Sequence, residues 1–341
     1  MAWASVRPSM GLEVQYPLFG RRSGGLDVRA KWFTALYNEI RTRIPTRFVR
    51  LLYLPPSPAT HWIYRRQMRL LEKPTAVTHI VSNMHSFLLR RHRRSPTVIT
   101  CYDLSVPSTA ERLPLADRVI VTARGLRSEL EGLVRLEHDP EVVYLAVPPS
   151  YRPQDIPRAS NQLLYVGTEL PRKNVEGLLR MVARVARERP VTLIKVGASS
   201  PARPRLLRLS NELGIADRVQ WRDFVSEPEL IELYQTASLT MVPSFIEGFS
   251  MPCLEAMSCG CPLVASNRSV IPEIVGDGGE LIDPADEAGW AGAVLRILDD
   301  SRFAADLSRR GQRRATAFSA SRSADQLVKV YREVSRDAAG S

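Results

Sequence analysis

From residue 162 onward the chain alternates short, almost wholly apolar runs with stretches of helical period, and this alternation constrains the fold more than any other feature. QLLYVG (162–167) reads as a buried strand closed by Gly167. NVEGLLRMVARVARERP (174–190) places apolar residues at 175, 178, 179, 182 and 185, which is a helix period. VTLIKVG (191–197), RVQWRDFV (218–225), LTMVPS (239–244) and PLVAS read as further strands. The helical patterns PRLLRLSNELG, PELIELYQTA and PCLEAMSCG stand between them. Strands apolar along their whole length are covered on both faces, so the pattern predicts an α/β fold with a parallel sheet between helix layers. Such sheets bind ligands at the carboxyl ends of their strands. The first half is less regular. EVQYPLF is its candidate opening strand, followed by THIVSN, TVITCYD and RVIVTA. No internal repeat is visible.

A chain of 341 residues predicts two domains. PPSYRPQDIPRASNQ (148–162) has the proline-rich, polar character of a linker, which places a boundary near 155: domains 1–155 and 156–318. The charge changes at the same place. Residues 1–160 hold 24 Lys+Arg against 13 Asp+Glu, a net of +11, whereas residues 161–341 hold 23 of each. Arg65, Arg66, Arg69 and the run RRHRR (90–94) are clusters within that excess. It fits a solvated arginine-rich surface, an anionic membrane surface, an anionic lipid-linked substrate or a nucleic acid, and composition does not choose among them. No aromatic-interleaved basic motif supports nucleic acid. No apolar run approaches a membrane span and the first residues show no secretory core, so the expected compartment is cytoplasmic. Four cysteines do not make a disulfide framework, and Cys259-x-Cys261 lacks a second ligand pair, so no metal is expected.

SFIEGFSMPCLEAMSCGCP (244–262) carries the chemistry. LTMVPS is the strand and SFIEGF the loop at its carboxyl end. Ser250 is a candidate N-cap, Pro252 suits a first turn, and Gly260 ends a helix of about eight residues. The start of that helix is an anion site suited to phosphate, and Gly248 lets backbone approach the ligand. Glu255, one turn in, is placed to accept from vicinal hydroxyls beside the phosphate, and Glu247 to meet a sugar attached to it. The bland alternative is two solvated glutamates. Lys173 follows the strand 162–167 and precedes a helix, where a cation opposes the dipole. That mild cost favours a phosphate-binding role, with Arg172 beside it doing the same or pointing outward. Among the histidines, His79 reads as structural and His85 as an acceptor-side candidate.

VGTELPRKNVEGLL, RDFVSEPELIELYQTA and EGFSMPCLEAMSCGCPLVASNRSVIPEIVGDGGELIDP together resemble the donor-binding half of the retaining, GT-B-fold glycosyltransferases of family 4. The resemblance covers 140–335 and extends more weakly to 77–135, in TVITCYDLSV and ADRVIVTARGLRSEL. It implies two Rossmann-like domains with parallel sheets facing across a cleft, and a UDP- or GDP-sugar held by the second. It assigns Lys173, with Arg172, to the donor diphosphate, Glu255 to the ribose, and Glu247, first acid of the E-x7-E motif, to the donor sugar. The amides of Phe249, Ser250 and Met251 meet phosphate or sugar, Phe224 and Val225 frame the base, and Gly24 and Gly25 form a glycine loop of the first domain. The segment 319–341 resembles a helix crossing back to that domain. Where the family often has arginine after Gly167, Thr168 stands; where it often has His-Asp beside the donor sugar, the chain has Tyr102-Asp103. The implied activity is metal-independent and needs no cofactor beyond the donor. It transfers a sugar to a lipid-linked or polysaccharide acceptor in cell-envelope glycan synthesis, at the inner face of the plasma membrane. The alternatives are a non-catalytic nucleotide-sugar-binding regulator, suggested by Tyr102, and an enzyme of the same fold acting on a soluble acceptor.

Overall fold

The computed structural model describes residues 12–20, 28–52, 58–91, 94–104 and 106–340. The chain divides into two compact units, one of residues 1–148 with 319–341 and the other of residues 149–318. Each is built on a six-stranded sheet whose strands all run parallel. Both units are thus α/β with parallel sheets, as the strand–helix alternation implies, and each is of the Rossmann-like kind that the resemblance to GT-B enzymes implies.

The first unit contains β1 (Val14–Gly20), β2 (Thr46–Leu52), β3 (Val77–Ile80), β4 (Thr97–Cys101), β5 (Arg118–Val121) and β6 (Glu141–Val142), in the order β2-β1-β3-β4-β5-β6. The sheet interior is apolar, with Val14, Val98, Ile99 and Val121 fully buried. β2 is an edge strand. Val49 and Leu51 face inward while Phe48 and Arg50 face out, the two-residue period of a strand with one wet face. The closing helix Ala320–Gly340 packs on the helix Val28–Ile40. Arg43 binds both Asp325 (2.8 Å) and Ser321 (2.7 Å), Arg118 binds Asp337 (2.7 Å), and the Ser323 hydroxyl donates to the Tyr144 carbonyl (2.7 Å).

The second unit contains β7 (Gln162–Val166), β8 (Thr192–Val196), β9 (Val219–Arg222), β10 (Leu239–Val242), β11 (Leu263–Ser266) and β12 (Glu280–Ile282), in the order β12-β11-β10-β7-β8-β9. The chain winds outward from β7 to one edge, returns to the middle at β10, and winds to the other edge. This is a doubly wound sheet whose switch point lies between β7 and β10. The helix Val175–Val185 presents Val175, Leu178, Leu179, Val182 and Val185 to the core, all five residues of the sequence period, where they meet Trp290 and Val294. Asn174 caps it, accepting from the Gly177 amide at 3.2 Å. Gly197 has φ +131°, and a Cβ there would meet the Gly167 carbonyl oxygen at 2.3 Å, so the ends of β7 and β8 can lie this close only with glycine.

His79 lies within β3, buried, and one ring nitrogen meets the Tyr331 hydroxyl at 2.6 Å and the other the Thr100 hydroxyl at 2.8 Å. The Tyr331 hydroxyl also meets that of Tyr16 at 3.3 Å. Burial depresses the His79 pKa from 6.5 to about 3. The imidazole is therefore neutral in the folded protein over a range in which the unfolded chain protonates it. The contribution of His79 to stability is present in full above 6.5 and is lost as the pH drops from 6.5 toward about 3. The contribution of this one group has a slope of at most about 1.4 kcal/mol per pH unit. Chemical denaturation of His79→Gln across that window is expected to show a shallower acid dependence than the wild type; an unchanged slope would remove His79 from the account.

Candidate functional site

The loops after β7 and β10 leave the same edge of the second sheet, from neighbouring strands. Pro171–Lys173 forms one turn of 3-10 helix, after which Asn174 takes a left-handed conformation (φ 55°) and begins the next helix. This turn directs Lys173 at the β10 loop, where its Nζ lies 2.6 Å from Glu247 Oε1. The Ser244 hydroxyl donates to the same oxygen at 2.8 Å, and Arg172 Nη1 lies 3.5 Å from Glu247 Oε2. The backbone reinforces the pair. The Phe245 amide donates to the Arg172 carbonyl (2.8 Å), Arg172 to the Ile246 carbonyl (3.2 Å), and the Ser269 hydroxyl to the Glu247 carbonyl (2.9 Å). Glu247 is only 6% exposed, so these cations offset what burial of a lone carboxylate would cost.

Gly248, Phe249 and Ser250 lead from Glu247 into the helix Met251–Ser258, with Pro252 in its first turn. The expected Ser250 cap does not form. Ser250 has φ 73°, and its hydroxyl turns to Cys253 Sγ at 3.1 Å rather than accepting from a backbone amide of the first turn. A non-glycine residue held in that region is a strained position, of the kind that clusters at ligand sites. The side chain of Phe249 is buried edge-on against Phe318, with ring centroids 5.9 Å apart, so only its backbone faces the loop. Glu255, on the second turn, accepts from the Tyr234 hydroxyl at 2.8 Å through Oε2. Tyr234 is buried, and its burial beside Glu255 drives its pKa well above the ordinary phenol value, so it stays a donor. Arg158 holds the far end of this helix, donating through Nη2 to the Gly260 carbonyl (2.5 Å) and through Nη1 to the Tyr234, Gln235 and Ala237 carbonyls (2.9–3.1 Å). A guanidinium at the carboxyl ends of two helices is also favourably placed in their dipoles. The sequence offers no hint of Tyr234 or Arg158 beyond an aromatic on a helix and an arginine in a linker.

Other expected site residues fall elsewhere. Thr168 is exposed, and its carbonyl accepts from the Tyr165 hydroxyl at 3.1 Å. Phe224 is 88% exposed and Val225 half-buried, on the loop leaving β9. Tyr102 and Asp103 belong to the first unit, at the end of β4. There Asn83 ties them down, accepting from the Tyr102 amide (3.2 Å) and donating to the Asp103 carbonyl (2.9 Å). Gly24 and Gly25 lie outside the described residues. The thiols of Cys101, Cys253 and Cys259 are buried, and burial pushes each up to about 12, so they remain protonated packing groups.

One element sequence reasoning missed entirely is a buried ionic network under the β7, β8 and β9 loops. Glu169, four residues before Lys173, and Lys195, inside β8, have fully buried side chains 2.8 Å apart. Arg203 Nη2 reaches Glu169 at 2.5 Å and Asp223, after β9, at 2.6 Å, and its guanidinium lies over Trp221. The Ser200 amide donates to Glu169 Oε2 at 2.9 Å. Burial pushes the Glu169 pKa up, but hydrogen bonds from Arg203 and Lys195 outweigh it and leave the carboxyl below its ordinary value. Burial lowers that of Lys195, and Glu169 offsets this only in part. The signal available in the sequence was the lysine between Ile194 and Val196 in an otherwise apolar strand.

Residues 150–314 match the family model described as glycosyl transferases group 1. The chain is 39% identical over 179 residues to the MMP alpha-(1->4)-mannosyltransferase of Mycolicibacterium hassiacum, a match covering 51% of this chain and 43% of that protein, so the chain spans less than half of that relative's length. It is 29% identical over 272 residues to the O-antigen chain mannosyltransferase B of Escherichia coli, covering 71% of each. Among solved structures it is similar to Anabaena Alr3699/HepE in complex with UDP and glucose, with TM-score 0.73 and 15% identity over 94% of this chain and 99% of that one.

The ionic network generates a stability test. Glu169→Gln leaves Lys195 charged and buried without its carboxylate, and is expected to cost about 3 kcal/mol or more of unfolding free energy. The double variant Glu169→Leu/Lys195→Met should recover most of it. Urea denaturation measures both; a single-variant loss below about 1 kcal/mol would mean the network is not the support described.

Proposed function

We propose, on the match of residues 150–314 to the glycosyl transferases group 1 model, that the protein is a retaining glycosyltransferase using a UDP- or GDP-sugar donor. The observation that carries this reading is the Lys173–Glu247 pair at the switch point, beside a helix start and a tyrosine-oriented Glu255. Lys173 and Arg172 exchange Glu247 for the donor diphosphate, and the first-turn backbone of Met251–Ser258 adds to the positive field. Glu247, released from Lys173, accepts from a hydroxyl of the donor sugar. Glu255, with one oxygen fixed by Tyr234, takes the ribose hydroxyls, and Phe224 offers an aromatic face to the base. Chemistry then requires the bond from the sugar's anomeric carbon to the phosphate oxygen to break while a bond to the acceptor oxygen forms on the same face. The acceptor proton passes to the departing phosphate oxygen. Cationic groups held in place before reaction stabilise the charge that develops there.

The acceptor side falls to the first unit. The names of the two mannosyltransferase relatives support a mannosyl donor, and the UDP and glucose of the Anabaena structure support a nucleotide diphosphate at this site. The excess of basic residues before residue 160 supports a lipid-linked acceptor met at an anionic membrane surface. Among the described residues no helix is long and apolar enough to cross a membrane. Tyr102 keeps a second reading open, a nucleotide-sugar-binding regulator without turnover, because tyrosine cannot supply the cationic form that histidine offers near neutral pH.

Thermal unfolding in the presence of UDP-, GDP-, ADP- and dTDP-sugars tests the donor site. One nucleotide class is expected to raise the Tm of the wild type, by about 2.7 kcal/mol of added stability at a hundredfold excess over Kd. Lys173→Ala and Glu255→Gln should lose the shift while remaining folded; the glutamine keeps an acceptor for Tyr234. A folded wild type that no nucleotide stabilises would overturn the assignment, and stabilisation without turnover on any lipid-linked or glycan acceptor would favour the regulator.

A further inference from the structure

The helix Pro58–Leu71 of the first unit has two unlike faces. One is clamped. Tyr64 and Met68 are buried, the His61 ring stacks on Phe87 at 4.1 Å, and Arg65 Nε donates to the Phe87 carbonyl at 2.6 Å. The other holds Trp62 at 60% exposure and Leu70 at 73%, with Ile63, Arg66 and Arg69 also exposed. At 100° per residue these five side chains fall within an arc of about 120°. The helix contains no acidic residue. Arg66 lies 5.6 Å from the Trp62 ring, and among the described residues neither Arg66 nor Arg69 has a carboxylate partner.

We propose that Trp62, Ile63, Arg66, Arg69 and Leu70 form the surface by which this protein docks on an anionic lipid bilayer, the helix lying in the plane of the interface. Charge and shape favour that occupant. An interfacial helix needs an apolar strip bordered by cations, with an amphipathic aromatic at the boundary, and this face has each of them. A water-facing helix gains little from an exposed tryptophan and leucine flanked by arginines that have no carboxylate partner among the described residues, whereas the headgroup region accepts both kinds of group. The clamped inner face keeps the strip presented as a unit. The inference rests on the membrane-surface reading proposed above and assigns it to one element.

Flotation of the full chain with phosphatidylcholine vesicles, with and without phosphatidylglycerol, tests it. The wild type is expected to bind only the anionic vesicles, and less as salt rises. Trp62→Ser/Leu70→Ser and Arg66→Gln/Arg69→Gln should each weaken binding by about tenfold or more, the arginine pair also flattening the salt dependence. Leu133→Ser, at another exposed leucine of the same unit, should leave binding unchanged, and circular dichroism checks that all variants are folded. A wild type that ignores anionic vesicles overturns the membrane reading itself. Wild type and helix variants binding equally overturns the assignment to this helix while leaving that reading intact. A concentration-dependent dimer abolished by Trp62→Ser/Leu70→Ser, with vesicle binding unaffected, would make the face an interface between two copies and overturn the proposal.

Discussion

β7 and β10 are hydrogen-bonded neighbours in the middle of the second sheet, Leu163 opposite Leu239 and Leu164 opposite Thr240, although two further strands and three helices separate them in the chain. Parallel strands release all their loops at one edge, so this pairing alone brings the Pro171–Lys173 turn onto the loop holding Glu247. A carboxylate as buried as Glu247 needs cations, and a lysine as enclosed as Lys173 needs an anion. Each supplies the other. The loops that leave the two strands are thus joined by a buried ion pair.

The parts of the fold that could be read from the sequence are those in which burial acts on whole runs of residues. QLLYVG, VTLIKVG, LTMVPS and PLVAS became β7, β8, β10 and β11, because a strand covered on both faces is apolar along most of its length. β2 was invisible for the opposite reason. It is an edge strand, TRFVRLL, with arginines where a covered strand would be apolar. Lys173, Glu247 and Glu255 were legible as a constellation because loop and helix-start positions follow from the strand boundaries. Their partners were not. Tyr234 and Ser269 come from other elements of the unit, Arg158 reaches the far end of the Glu255 helix from the linker, and the Glu169–Lys195–Arg203 network places charges where hydropathy predicts none. Ser250 shows a finer limit: a serine before a helix usually caps it, but here the backbone turns left-handed and the hydroxyl bonds a thiol instead.

The arginines of the first half serve two purposes that composition merges. Some are structural. Arg65 ties its helix to the Phe87 carbonyl, Arg90 pairs with the nearly buried Glu72 and donates to the Arg65 carbonyl (2.9 Å), and Arg43 and Arg118 fasten the closing helix. Others, such as Arg66 and Arg69, have no carboxylate within reach among the described residues. Clusters that look alike in the sequence thus divide, within one turn of helix, into a clamp and an open charge.

The closing helix has a consequence for biosynthesis. Tyr331 supplies the hydroxyl that Tyr16 and His79 share, and Leu327, Val330 and Val334 are buried in the same core. Yet residues 319–341 leave the ribosome only after the whole second unit has been made. During translation residues 149–318 can complete their own core first, while the earlier-made residues 1–148 wait with part of theirs uncovered. The unit made first is the last to be finished, and until then part of its apolar core stays uncovered.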